Sequence, residues 1–243
     1  MTDVVMAEAF NPARVGAGSV FGWLSRGWAL YRVRPLFWTL PWLAMTVLSM
    51  LCGLAVPLLG MVAWLFLQMA FAAGVASCAC KSEHGEPVAV GSLFVGFRAS
   101  GRSIGMLALL MTGLYLVIAL LVLALGFIFQ VYTTMLVFVF MALFVILFLG
   151  KWICMLAPIL VEMQGYLPFN AFKGAARAVR INWLAFLVLD LVYFLLFGVI
   201  YEAGGAAIPG SLWGFASVLF AMLVLCPLYC LISYAAWREV FPE

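Results

Sequence analysis

Along this chain six apolar runs alternate with short breaks that are polar, basic, or rich in glycine and proline. The runs are about Leu36–Val56, Met61–Cys80, Ile104–Phe129, Met135–Ala157, Trp183–Tyr201 and Leu212–Trp237. Each has roughly the 20 residues an α-helix needs to cross the hydrocarbon core. None has the period-two alternation of a barrel strand. The pattern predicts an all-α integral membrane protein with six transmembrane helices. The breaks at Pro57–Gly60, Gln130–Thr134 and Glu202–Gly210 contain no Lys or Arg. They predict tight outer turns that close three helical hairpins.

An amphipathic stretch precedes each hairpin. In Pro168–Trp183, proline suits the first helical turn, where its missing N–H would have no partner in any case. At about 100° per residue, Phe169, Phe172, Ala176, Val179 and Trp183 share one face. Lys173, Arg177 and Arg180 form a stripe on its flank, and Ala171, Gly174, Ala175 and Ala178 make a small-residue face. Such a helix is expected at the cytoplasmic membrane boundary, with aromatics in the acyl region and cations at the phosphates. Its small residues allow close backbone packing. In Ser19–Arg34, Phe21, Leu24, Trp28 and Tyr31 share a face, and Pro35 ends or kinks the segment. Leu93–Arg102 aligns without gaps on Pro168–Arg177: Phe94 on Phe169, Phe97 on Phe172, Arg98 on Lys173, Arg102 on Arg177. The chain therefore reads as repeat units at about 19–80, 87–157 and 165–237, each an interfacial helix followed by a hairpin. Three parallel repeats predict a pseudo-threefold bundle about the membrane normal, unlike the inverted repeats of many secondary transporters. Residues 1–18 are expected as a flexible cytoplasmic tail, and 19–243 as a single transmembrane domain.

Composition agrees with this reading. The chain of 243 residues is 68% hydrophobic and 9% charged, against about 45–50% and about 25% in soluble domains. The bilayer has to act as solvent, and no polar stretch is long enough for a large soluble domain. All 12 Lys and Arg fall in the N-terminal segment, the second and fourth connections with the adjoining end of span four, and the C-terminus. This split predicts both termini in the cytoplasm. The first 18 residues lack the basic start and apolar core of a secretory signal. Because the net charge of +3 sits beside the spans, the expected partners are the bilayer and anionic lipids, not nucleic acid. Other membrane proteins or a second copy are further candidates. Arg98, Arg102, Lys173, Arg177 and Arg180 are the candidate anionic-lipid contacts. Trp23, Trp28, Trp38, Trp152, Trp183 and Trp237 lie near the same boundary, where an aromatic belt is expected.

Ala157-Pro158-Ile159-Leu160, Gly165, Pro168, Ala171 and Asn182-Trp183 form a further pattern, with Gly27-Trp28-Ala29-Leu30-Tyr31 and Tyr234–Phe241 (YAAWREVF). In these residues the chain resembles a family of six-helix bacterial inner-membrane proteins. That family is loosely related to the YciC-like proteins and to membrane domains fused to some glycerophosphodiesterases. The resemblance runs from about Val15 onward and implies six spans and an address in the bacterial inner (cytoplasmic) membrane. No settled activity or catalytic residues come with it, so none is carried over. The chain departs from the usual pattern at Glu162-Met163-Gln164, which replaces a more apolar run.

The sequence has no nucleophile elbow and no phosphate loop, so neither an enzyme nor a cofactor is expected. The single histidine, His84, lies in a polar turn (KSEHGEP) and reads as a solvated side chain. Cys52, Cys78, Cys80, Cys154, Cys226 and Cys230 read as small apolar residues rather than a metal cluster. Gln68, Lys151 and Asp190 are polar groups within or near apolar runs, the kind that mark pathways by default. With span four ending near Leu160, Lys151 lies roughly 13 Å deep, and Asp190, seven positions beyond Trp183, roughly 10 Å. The two spans run in opposite directions from the same side, which makes Lys151 and Asp190 a candidate intramembrane pair. The alternative has Lys151 reaching to the interface and Asp190 neutral or bonded to the backbone. Two function classes follow: a structural, regulatory or accessory component of a membrane assembly, or a carrier or channel for a lipid-like or small solute.

Overall fold

A computed structural model describes residues 12–55, 57–98, 100–128, 133–203 and 212–242; among these the chain is helical apart from short connections, with no strand. The helices are α1 Ser19–Val33, α2 Pro35–Ala55, α3 Pro57–Glu83, α4 Gly101–Ile128, α5 Thr133–Gln164, α6 Pro168–Ile181, α7 Trp183–Ala203 and α8 Leu212–Val240. Among the described residues, five stretches are long and apolar enough to cross a membrane: Pro35–Leu54, Val62–Glu83, Gly101–Leu121, Trp183–Ala203 and Leu212–Val240. The outer turns expected at 130–134 and 202–210 fall largely outside the described residues. Pro57–Gly60, expected as a turn, is the first turn of α3.

The bundle is built around α3, which packs against α2, α4, α5 and α8. Its sequence explains this position. Ala70, Ala72, Ala73, Gly74, Ala76, Ser77, Cys78 and Ala79 leave almost no side chain to hold neighbours off, and small residues are what bring helices together in lipid. The closest approach is made by the connection after α3, a 3-10 turn at Val90–Phe94 followed by one α turn at Val95–Arg98. A Cβ on Gly74 would stand 1.9 Å from the Leu93 carbonyl oxygen, and one on Gly96 would stand 2.4 Å from that of Ala70. This backbone-to-backbone seat corrects the amphipathic helix expected there. Leu93–Arg102 and Pro168–Arg177, which align in sequence, therefore take different conformations.

Among the described side chains, the buried core lies toward one end of the bundle. Buried positions cluster in the second halves of α3, α5 and α8 and in the first halves of α4 and α7. These ends adjoin the charged connections. At the opposite ends Leu116, Val117 and Leu120 on α4, Phe194 and Val199 on α7, and Leu212, Trp213 and Phe215 on α8 are exposed. The tryptophans follow the core: Trp23, Trp38, Trp152 and Trp237 are buried, and Trp28 and Trp183 exposed. The expected belt therefore reduces to two of its six members, because the other four pack between helices.

α1 buries one face against the bundle. Val20, Trp23, Gly27 and Tyr31 face inward, while Phe21 and Trp28 are exposed. Gly27 sets this rotation: a Cβ there would stand 2.5 Å from Ile232 Cγ1 of α8. Glu239 of α8 reinforces it by accepting hydrogen bonds from the Ser19 hydroxyl (2.5 Å) and Trp23 Nε1 (2.8 Å). Ahead of α1, the segment Pro12–Gly18 is hydrogen-bonded to α8 and to Asn182. Ala13 N–H donates to the Val240 carbonyl (2.7 Å). The Asn182 side chain accepts from Val15 N–H (2.8 Å) and donates to the Ala13 carbonyl (2.9 Å). Met1–Asn11, the rest of the expected tail, lie outside the described residues.

One proline links α2 to α8. Pro227 lies inside α8 and cannot donate to the carbonyl of residue 223, one turn earlier. Thr39 Oγ1 of α2 takes up that carbonyl at 3.2 Å, and Tyr31 hydroxyl lies 3.0 Å from Thr39 Oγ1. A backbone group freed by proline is thereby satisfied by a side chain from another helix, as a bilayer interior requires.

Candidate functional site

Asp190 lies about two turns into α7, on the face that also buries Ala185, Phe186 and Leu189. Three donors from two other helices converge on its carboxylate. Lys151 Nζ of α5 lies 2.7 Å from Oδ1 and Trp152 Nε1, the next residue, 3.0 Å from Oδ2. Tyr229 hydroxyl of α8 donates to Oδ1 at 3.1 Å. The structure thus brings together the two charges that the sequence offered as a candidate intramembrane pair, as an ion pair with side-chain exposures of 41% for Lys151 and 9% for Asp190. The asymmetry has a physical consequence. The carboxylate depends on protein donors, whereas the lysine reaches it from the rim.

Aromatic rings complete the surroundings. Lys151 Nζ lies 4.8 Å from the Tyr229 ring centroid, 5.5 Å from that of Phe148 and 5.6 Å from that of Trp152. Ring faces at such distances attract an ammonium and partly replace its lost water. Trp152 packs against Phe186 at 4.6 Å and Tyr229 at 4.9 Å, and Tyr193 meets Tyr229 edge-on at 5.0 Å. These contacts hold Trp152 Nε1 and the Tyr229 hydroxyl in donor position. Trp152 and Tyr229 are the site residues that sequence reasoning missed. Trp152 adjoins Lys151, but a tryptophan and a tyrosine in apolar runs carry no sign of a partner 38 or 39 positions away.

The other polar residues are not at this site. Gln68 lines a shallow pocket between α2 and α3, with Trp42, Ser49 and Trp64. Glu83 accepts hydrogen bonds from the Tyr234 hydroxyl (2.9 Å) and from Arg238. Glu162 accepts one from the Ser100 hydroxyl; the polar Glu162–Gln164 stretch simply continues α5. His84 Nδ1 lies 2.8 Å from the Cys80 carbonyl at the end of α3, where the ring finishes the helix. The cysteines are free, and no group of three metal-ligating side chains occurs among the described residues.

On α6 the small residues Ala171, Gly174, Ala175 and Ala178 are buried with Val179, and the helix packs mainly on α5. Lys173, Arg177 and Arg180 are exposed, as are Arg98 and Arg102. Lys173 Nζ lies 4.4 Å from the centroid of the exposed Phe169 ring. The five cations therefore lie on the surface and outside the Asp190 cluster. No family model, no curated protein and no solved structure matches this chain.

Proposed function

We propose that the chain is a six-span protein of the bacterial inner membrane, with both termini in the cytoplasm, serving as a structural or accessory component of a membrane assembly. The 32-residue helix α5 supplies the sixth span. The bond between Ala13 and Val240 supports a common side for the two termini. The five exposed cations support contact with anionic lipid at that surface.

The observation that carries the accessory reading is the satisfaction of Asp190. Its two oxygens are engaged by Lys151, Trp152 and Tyr229, so the carboxylate ties α5, α7 and α8 together and offers little to a passing solute. A carrier would present such a group to water. Lys151, at 41% exposure, is the feature that favours the second reading, a carrier or channel. Two measurements separate the readings. In a background without native cysteines, Cys at positions beside Asp190 should resist water-borne thiol reagents in native membranes. Purification in mild detergent should recover a second protein, or a second copy, at fixed stoichiometry. Rapid labelling beside Asp190, together with a co-purifying solute and no protein partner, would transfer the assignment to transport.

A further inference from the structure

A second place in the fold combines opposite charges, and there they do not meet. The break between α1 and α2 and the end of α3 enclose a cleft of about 200 Å³, lined among others by Val33, Arg34, Phe37, Trp38, Ser82 and Glu86. The backbone specifies where both charges stand. Pro35 disfavours helical geometry in the residue before it, and Arg34 accordingly leaves the helix at φ −145°, ψ 67°. Pro35 then opens α2, as a first-turn proline does. At the other wall, α3 ends in a Schellman cap. Gly85 takes φ +72°, its N–H donates to the Ser82 carbonyl (3.2 Å), and Glu86 N–H donates back to the Lys81 carbonyl (2.9 Å). This 6→1 and 5→2 pattern needs glycine at the left-handed position, and it turns Glu86 toward the α1–α2 break.

Arg34 and Glu86 are both exposed, and neither takes part in an ion pair among the described residues. We propose that this cleft binds a phosphate–ammonium zwitterion, the headgroup chemistry of an aminophospholipid such as phosphatidylethanolamine. A guanidinium recognises phosphate with paired donors. The positive end of α2 begins beside it. The Glu86 carboxylate takes the ammonium, and the rings of Phe37 and Trp38 give that cation an aromatic wall. The volume suits a headgroup and is below the roughly 300 Å³ at which drug-sized pockets begin. Leu36 and Leu40, exposed next to the cleft on α2, give the acyl chains an apolar path toward the bilayer. A purely anionic lipid fits less well, because Glu86 repels it. The proposal stands apart from the accessory reading, since none of its residues touches the Asp190 cluster.

The test is lipid retention by the full chain in mild detergent, read by native mass spectrometry against phosphatidylethanolamine and phosphatidylglycerol. Wild type should retain phosphatidylethanolamine preferentially. Glu86→Gln should erase most of that preference, by about tenfold for one lost charge-assisted contact, without lowering phosphatidylglycerol retention. Arg34→Gln should lower retention of both. Both side chains are exposed, so the variants should elute as wild type does in gel filtration. Free glycerophosphoethanolamine separates the sources: competition only in large excess places the zwitterion in the leaflet, and competition at matched concentration places it in solution. A Glu86→Gln protein that keeps the wild-type preference, or an Arg34→Gln protein that keeps phosphatidylethanolamine, overturns the proposal.

Discussion

Replacing Lys151 and Asp190 together should cost less than the two single replacements cost in sum. In Lys151→Met the buried carboxylate keeps Trp152 Nε1 and the Tyr229 hydroxyl, at 3.0 and 3.1 Å, but loses its cation. Breaking a fully buried pair costs about 3–5 kcal/mol. Two neutral donors stay on the carboxylate, which lowers the figure to about 2–3 kcal/mol. Asp190→Asn retains an oxygen for the neutral donors and leaves a lysine that can turn toward headgroups, so about 1–2 kcal/mol is expected. In the double variant neither charge remains, and an amide oxygen still accepts from Trp152 or Tyr229. Its loss should be at least about 1 kcal/mol smaller than the sum of the single losses, as expected for coupled neighbours. Reversible unfolding of the four proteins in mild detergent, followed by tryptophan fluorescence, gives the cycle. Additive losses would refute the brace, since they would mean that the 2.7 Å contact carries no coupling energy.

Thr39→Val should destabilise the protein by about 1 kcal/mol, because it orphans the Leu223 carbonyl; Leu in place of Pro227 supplies the missing N–H, and in that background Thr39→Val should cost less. Gly74→Leu should abolish the folded state or expel the 90–98 connection, since even a Cβ would lie 1.9 Å from the Leu93 carbonyl oxygen; gel filtration and proteolysis at 84–100 would reveal either outcome, and wild-type behaviour would contradict the seat. Asn182→Leu should release Pro12–Gly18, seen as faster amide exchange at Val15, whose N–H now donates to Asn182 at 2.8 Å; unchanged protection would mean that the Ala13–Val240 bond holds the strap alone. Neutralising Arg98, Arg102, Lys173, Arg177 and Arg180 together should weaken binding to anionic vesicles at low salt, by up to about 1 kcal/mol per charge, and a salt-independent wild-type affinity would exclude an electrostatic contact.

What the sequence determined alone is local. Apolar run length set the helices capable of crossing a membrane, with ends close to the expected ones: α2 at Pro35–Ala55 and α7 at Trp183–Ala203. Proline opens α2 and α6, and Gly165, at φ +68°, follows α5. The level of a residue along its helix was also legible, since the rise per residue is constant; that is why Lys151 and Asp190 could be matched across two neighbouring helices. Which faces meet was decided by the tertiary structure. Helices apolar on all sides carry no pattern that selects a neighbour, and in lipid the choice falls to close approach and hydrogen bonding. The small side chains between Ala70 and Ala79 made α3 the centre, and the close approach of Gly27 to Ile232 set the face that α1 buries. The connection at 90–98 was drawn out of regular helix by Gly74 and Gly96, each pressed on a backbone carbonyl. Trp152 and Tyr229 became partners of Asp190 because packing brought three helices to one carboxylate, and only packing brings residues so distant in the chain within hydrogen-bonding range.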